Sequence, residues 1–497
     1  MLVPAPVLAA PAPVPAADAK RVVSVFWAAL SADLSRPETM SFFSNLISQL
    51  PKMGASFTKA PIPPEPGIYH FLIEETGEKT RAHLRVEADG SGMLLVNANR
   101  SFHLNPTATH LAYLYLTKQQ EARAVASLTQ LYHVSKDQAR QDYAQTVNQL
   151  QELLRPDGAC PICDLELETV APFSVMPSAP YRMDLALTYR CNNDCAHCYN
   201  ARDRHSPELD TIHWKQILDR LWDAGIPHIV FTGGEPTLRP DLPELVAHAE
   251  KNGQITGINT NGRMLKDTAF LQKLVDAGLD HVQVTLESHL PDIHNRMVAR
   301  PAAWDDTILG IKNALATRLF VMTNTTLLEE NSAHLAGTLD FLAELGVPTI
   351  GLNALIYSGR GLTVGTGLTE ESLPPLLELA RRSTEEHGQR LIWYTPTEYC
   401  HFDPVQMQLG VKGCTAARYN MCVEPDGTVI PCQSYYQSIG NLLNDSWDSI
   451  WNHDLAVSLR EHHNLPQDCV SCALLSECGG GCPLARQAAH QISTLSA

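Results

Sequence analysis

The spacing of apolar positions changes twice along this chain. Residues 20–50, KRVVSVFWAALSADLSRPETMSFFSNLISQL, carry apolar residues at helical spacing and predict two short amphipathic helices broken at Pro37. The proline-rich KAPIPPEPG (59–67) reads as a linker. The period then shortens to two. IYHFLIEET, RAHLRVEA and GMLLVNANR predict three short strands, with EETGEKT and EADGSG as turns. From HLNPTATHLAYLYL to QDYAQTVNQLQELL the spacing is helical again, in about three segments. Residues from roughly 68 to 155 therefore predict a small α+β unit of winged-helix type.

From residue 183 strand-like and helix-like segments alternate. MDLALTY, HIVFTGG, ITGINTNG, HVQVTLES, LFVMTNTTL and TIGLNALIY each lead into an amphipathic helix. Six βα repeats predict an α/β fold: a parallel sheet closed as far as a partial (β/α)6 TIM-like barrel. In such folds chemistry sits at the C-terminal ends of the strands. Past about 395 the regular pattern fades. The expected division is 1–66 as tether and short helices, 67–158 as the α+β unit, 159–180 as linker, 181–395 as barrel, and 396–497 as a cysteine-rich domain.

Composition narrows the function classes. The chain has 497 residues, 44% of them hydrophobic, and a formal charge of −17 from 37 basic and 54 acidic side chains. So acidic a surface argues against general nucleic-acid or anionic-membrane binding. The N-terminal MLVPAPVLAAPAPVPAAD lacks a basic residue ahead of its apolar stretch, and proline recurs through it, so it reads as a disordered Ala/Pro tether and not a signal peptide. No other run reaches about 18 residues without charge or breakers, so no transmembrane helix is expected. A cytoplasmic, reducing setting follows from the thirteen cysteines, which are clustered as in metal sites and not spread as in a disulfide framework.

The tightest group is Cys191, Cys195 and Cys198, in YRCNNDCAHCYN (189–200), directly after the first barrel strand. Thiolates are soft ligands suited to iron–sulfur clusters or zinc. A closed structural zinc site needs four protein ligands; three thiolates suit a four-iron cluster with one iron left open. A zinc knuckle completed by His197 or His205, or reduced core thiols, are the alternatives from spacing alone.

The surroundings resemble the radical S-adenosylmethionine (SAM) superfamily across about 183–390. The family pattern is C-x3-C-x-aromatic-C, with His197 here in the aromatic slot. FTGGEP places Gly233, Gly234, Glu235 and Pro236 where the family has GGEP, the edge that binds the SAM amino group. NTNG (259–262), with Asn261, matches the family's turn after the third strand. VTLES (284–288) stands for S-L-D-G, with Glu287 for Asp and Ser288 for Gly, and implies ribose contacts from Thr285 and Glu287. Arg300 is a candidate for the SAM carboxylate, or a solvated surface side chain. The resemblance implies a [4Fe–4S] cluster with an open iron that chelates SAM, one-electron cleavage of the S–C5′ bond, and hydrogen abstraction from a substrate by the 5′-deoxyadenosyl radical, fed by a reductant such as flavodoxin or ferredoxin.

The C-terminal cysteines resemble the family's SPASM extension. Cys414, twelve residues, Gly427, four residues and Cys432 are followed by Cys469, Cys472, Cys478 and Cys482 in C-x2-C-x5-C-x3-C. By the resemblance Cys414, Cys422, Cys432 and Cys482 hold one auxiliary [4Fe–4S] cluster, and Cys469, Cys472 and Cys478 begin a second. The family's final cysteine is missing, so the second cluster borrows Cys400, has an open site, or is absent; a zinc ribbon is the alternative for the whole set. Cys160 and Cys163 form a further C-x2-C pair, read as structural or incidental.

Residues 67–158 resemble PqqD-like domains, the RiPP recognition elements, in which a precursor's leader peptide adds as a strand to the sheet edge. A winged helix used only for packing or dimerisation is the alternative. The three parts together have the layout of peptide-modifying radical SAM maturases, acting by cross-linking, epimerisation or excision. A radical SAM enzyme for a small molecule (a tetrapyrrole or quinone precursor) and a non-catalytic metal-binding interaction protein are the competing readings. No catalytic base is assigned: Cys432 is followed by Gln433, and Asp403 and Glu424 are candidates by proximity in sequence only.

Overall fold

A strand with both faces buried joins the two halves of this protein, and its sequence shows how. In the computed structural model, which describes residues 63–75, 78–97, 100–154, 176–200, 204–463 and 465–495, β2 (Glu78–Val86) lies between β1 (Gly67–Glu75) and β3 (Gly92–Val96). Alternate residues of a strand face opposite sides. Ala82, Leu84 and Val86 point into a core shared with Leu94, Val96, Phe102 and Leu153. Arg81, His83 and Arg85 point the other way, and all three are buried against the barrel. Arg85 donates to the carbonyls of Ala179 (2.9 Å), Pro180 (3.4 Å) and Gly225 (3.4 Å), with its guanidinium over the Tyr181 ring. His83 Nε2 is 2.7 Å from the Gly253 carbonyl oxygen. Arg81 pairs with Glu250, and with Asp280 at 3.1 Å.

The sheet has four antiparallel strands in the order β1-β2-β3-β4, one more than the pattern predicted. GMLLVNANR does not run on as one strand: it ends at Val96, Asn97 takes a positive φ of 49° while its side chain accepts from the Arg81 N–H (2.8 Å), and β4 (Arg100–Leu104) follows. Asparagine tolerates the left-handed region better than most residues, which makes the turn possible. Helices α1 (Pro106–Leu116), α2 (Glu121–Tyr132) and α3 (Lys136–Leu154) complete the unit. Asn105 caps α1 by accepting from the Ala108 N–H, and Pro106 takes the first turn, where its missing N–H costs nothing.

The six predicted barrel strands are present and parallel: β5 (Arg182–Thr188), β6 (His228–Gly233), β7 (Ile255–Thr260), β8 (His281–Thr285), β9 (Phe320–Thr326) and β10 (Thr349–Asn353). Helices including α4 (Thr211–Asp223) and α5 (Leu242–Asn252) cover them, and Trp214, Ile217, Leu245, Met183, Leu185 and Phe231 are fully buried between the layers. The sheet is longer than six strands. β11 (Arg390–Trp393) adds in parallel beside β10, and at the other end β12 (Asn420–Val423), from the cysteine-rich segment, adds in parallel beside β5 and continues antiparallel into β13 (Thr428–Ile430) and β14 (Gly440–Asn441). The C-terminal domain is thereby stitched to the strand that launches the Cys191–Cys198 loop.

The expectations for the Ala/Pro tether, the two N-terminal helices, most of the linker, Cys160 and Cys163 lie outside the described residues. Among the described residues no helix is long and apolar enough to cross a membrane.

Buried histidines make the fold acid-sensitive. Burial pushes His83 down to about 3 and His281 and His294 down to about 4. Unfolded, each would titrate near 6.5. The stability their neutral forms carry is complete above that value and is lost as pH falls toward the folded value, by up to about 1.4 kcal/mol per pH unit per group. The urea midpoint measured anaerobically is expected to fall between pH 7 and pH 5; a flat profile would count against three neutral buried imidazoles.

Candidate functional site

The loop after β5 owes its shape to backbone contacts and three guanidinium groups. Arg204 donates to the carbonyls of Cys191 (3.2 Å) and Asn193 (3.0 Å) and to Asp194 Oδ1 (2.7 Å). Arg360 donates to the carbonyls of Asp194 (3.0 Å) and Cys195 (3.1 Å) and to Asp194 Oδ1 (2.6 Å). Arg263 donates to the Asn192 carbonyl (2.8 Å) and Asn193 Oδ1 (3.1 Å). The result is that Cys191, Cys195 and Cys198 all line one cavity of about 1010 Å³ at the C-terminal ends of the barrel strands.

Gly233 and Gly234 line the same cavity. Their smallness is first a demand of the fold. A Cβ on Gly233 would stand 2.2 Å from the Thr188 carbonyl oxygen, and one on Gly234 2.3 Å from that of Arg190. The Gly234 N–H donates to the Thr188 carbonyl (2.7 Å) and the Glu235 N–H to that of Arg190 (2.8 Å), so this segment grips the base of the cysteine loop.

Glu235 and Pro236 do not line the cavity. Pro236 is buried at the start of a 3-10 turn, Pro236–Leu238. The Glu235 carboxylate is buried and accepts from the Thr260 hydroxyl (2.7 Å), the Asn261 N–H (2.8 Å) and the Thr237 N–H (3.1 Å) and hydroxyl (2.5 Å). Burial raises its pKa, opposed by these hydrogen bonds. It ties the ends of β6 and β7 together and sets Asn261, which does line the cavity. Arg300 is exposed and does not line the cavity; its charge acts on Asp194 in the cysteine loop.

Thr285 and Glu287, at the end of β8, face the cavity. Glu287 is buried, accepts from the Thr326 N–H (3.0 Å), and pairs at 3.0 Å with Nε2 of His197, the residue in the aromatic slot. Burial alone would lower the His197 pKa, but the charge and hydrogen bond of Glu287, helped by Glu330, leave it raised. The couple links the cysteine loop to β8 across the cavity.

Cys414, Cys432 and Cys482 line the same cavity. Cys422 is different. Its thiol is packed in an apolar cluster with Ala186, Tyr189 and Ile430 and is off the cavity wall, though its charge would couple to that of Cys432. Cys469, Cys472 and Cys478 form a separate group; the Cys478 sulfur accepts from the Tyr399 N–H at 3.5 Å. Asp403 and Glu424 are both off the cavity wall: Asp403 caps a turn through the Val405 N–H, and Glu424 accepts from the Tyr189 hydroxyl. Glu370 and Glu398, which sequence reasoning did not single out, do line it.

The donor set fits iron–sulfur clusters. Burial pushes Cys191 up to about 11, Cys414 and Cys432 up to about 12, and Cys195 well above its ordinary range. Burial also raises Cys198, against the Asn200 N–H and the charges of Arg360 and Arg204. Thiols so placed become thiolates only against a metal cation, which deprotonates them outright. Beside them His197 Nδ1 and Asn324 Oδ1 are buried with no hydrogen-bond partner, on residues that line the cavity.

Comparisons with known proteins agree with this geometry. Residues 185–342 match the Radical SAM superfamily, and residues 414–473 match the SPASM iron–sulfur cluster-binding domain. The PqqA peptide cyclase of Xanthomonas campestris pv. campestris is 30% identical over 326 residues, 61% of this chain and 82% of that protein. The Fe-coproporphyrin III synthase of Methanosarcina barkeri is 29% identical over 324 residues, 59% of this chain and 81% of that protein. Among solved structures, Streptococcus suis SuiB bound to its precursor peptide SuiA superposes with a TM-score of 0.62 at 16% identity, covering 84% of this chain and 96% of that one.

Proposed function

Since the chain belongs to the radical SAM superfamily and carries its SPASM iron–sulfur domain, we propose that it modifies a ribosomally made precursor peptide whose leader docks on the sheet domain of residues 67–158. Its cofactors are SAM and [4Fe–4S] clusters. When bound, they supply a 5′-deoxyadenosyl radical that removes a hydrogen atom from the substrate.

The chain's own residues do the rest. Cys191, Cys195 and Cys198 would hold a [4Fe–4S] cluster through three thiolates, with SAM bound beside it in the same cavity. Arg204, Arg263 and Arg360 fix the loop, and their positive charge offsets the anionic sulfurs. Gly233, Gly234, Asn261 and Thr285 offer backbone and polar edges to SAM, and Glu287, braced by His197, faces its ribose side. Glu235 braces this surface from behind through the Asn261 N–H. Cys414, Cys432 and Cys482, with Cys422 next to Cys432, hold an auxiliary cluster in the same cavity. The cavity walls keep water from the reactive centre. A reductant of the flavodoxin or ferredoxin kind supplies the electron.

The observation that carries the peptide reading is the extra sheet domain, seated on the barrel through Arg81, His83 and Arg85 and ending in edge strands β1 and β4. An edge strand with unpaired backbone groups is a template for an added strand, and Leu72 of β1 is exposed there. The likeness to SuiB spans more of this chain than the barrel and cysteine-rich domain together make up. The similarity to the coproporphyrin synthase favours a second reading, a small-molecule substrate in the same cavity.

A candidate precursor peptide, assayed with and without its leader, separates the two. A precursor carrying its leader is expected to be turned over at least ~10²-fold faster than its leaderless core at equal concentration, because tethering raises the local concentration of the core. Equal rates would remove the leader-docking role, and no turnover of either peptide would favour the small-molecule reading.

A further inference from the structure

Cys469, Cys472 and Cys478 are three thiols, and a [4Fe–4S] cluster with every iron held by protein takes four. The fold brings an upstream segment to this group. The Tyr399 N–H donates to the Cys478 sulfur at 3.5 Å, and the Cys478 thiol donates in turn to the Thr397 carbonyl at 3.6 Å. The next residue along is Cys400, close enough to Cys478 and Cys469 for their charges to act on it. Cys469 is in turn within reach of the charges of Cys478, Glu398 and Cys472.

We propose that Cys400 is the fourth ligand of the second auxiliary cluster, closing with Cys469, Cys472 and Cys478 a four-thiolate site.

Two neighbours compete on proximity. Ligand atoms of Glu398, Cys400 and His401 lie within 4.8 Å of one another. His401 is engaged by Glu370, with Nδ1 at 2.5 Å from Oε2. Glu398 lies against Gly481 and lines the cavity shared with Cys414, Cys432 and Cys482. Cys400 does not line that cavity. It is exposed, as is Cys472. It is also the soft donor that matches the other three. The site draws its ligands from two segments roughly 70 residues apart, and pins 397–400 to the C-terminal run.

The proposal rests on the iron–sulfur reading of the C-terminal domain, and the test separates the two. The full-length chain carrying Cys191→Ala, Cys195→Ala and Cys198→Ala is reconstituted anaerobically. Iron, zinc and acid-labile sulfide per chain are measured, with EPR spectra of the oxidised and reduced forms. This parent is expected to hold about eight irons in two clusters. Adding Cys400→Ala should lower that to about four, or convert one cluster to an oxidised [3Fe–4S] centre, while Glu398→Gln leaves iron and spectrum unchanged. Retention of the Cys414 cluster and an unchanged far-UV CD spectrum show that the Cys400 variant is folded. Full iron and an unaltered spectrum in that variant, with loss of a cluster in Cys469→Ala, would overturn the assignment. So would zinc at this site, or a parent holding only about four irons that Cys469→Ala does not change. A parent without any iron would overturn the iron–sulfur reading itself.

Discussion

Cys198→Ala is expected to lower 5′-deoxyadenosine formation on the order of 10³-fold or more, equivalent to at least about 4 kcal/mol of barrier. Three thiolates are the minimum that holds a four-iron cluster while leaving one iron free. Removing one leaves the loop two ligands and a hole in a buried wall. The surrounding clamps survive, because Arg204 and Arg360 bind backbone carbonyls and Asp194 and not the Cys198 side chain. The fold should therefore persist while iron drops by about four per chain. The assay is anaerobic, with dithionite and SAM, and deoxyadenosine quantified by LC-MS beside an iron determination. Wild-type rates in an iron-loaded variant would remove Cys198 from the cluster.

Gly234→Ala is expected to be among the costliest single methyl additions in the barrel. Its Cβ would meet the carbonyl oxygens of Arg190 at 2.3 Å and Tyr189 at 2.6 Å, both backbone atoms that cannot rotate away. β5 and β6 cannot separate to make room, because Leu185, Leu187, Ile229 and Phe231 between them are fully buried. We expect a loss of about 3 kcal/mol or more, read as a lower urea midpoint with an unchanged slope. Gly346→Ala is the control. That glycine has φ at 78° but nothing within 4 Å of its Cβ, so only the left-handed backbone is penalised, at about 1 kcal/mol. Equal effects at the two positions would show that crowding at β5–β6 is not what Gly234 relieves.

The barrel was legible because its strands are apolar runs of five to seven residues bounded by turns, with a helix after each. β11 to β14 were not, since they are two to four residues long and owe their strand geometry to the neighbours they pair with. The alternation in RAHLRV located a strand, yet its polar face reads as solvent-facing by ordinary rules. Only the fold reveals that Arg81, His83 and Arg85 are buried against the barrel. The cysteine loop announced itself by spacing. Its clamps did not, because Arg204 and Arg360 converge on Asp194 from segments 156 residues apart, and nothing local marks either of them. Glu235 shows the opposite case. The motif located it correctly at the edge of the site, but its four hydrogen bonds turn it inward as a brace for Asn261.

One measurement bears most directly on a precursor peptide as substrate. The full-length protein would be incubated anaerobically with SAM, a reductant and a uniformly deuterated precursor peptide, and both products analysed by mass spectrometry. Abstraction from the peptide predicts deuterium in 5′-deoxyadenosine together with a mass change in the peptide core. Unlabelled deoxyadenosine beside an unaltered peptide, with turnover appearing only on addition of a porphyrin, would contradict it.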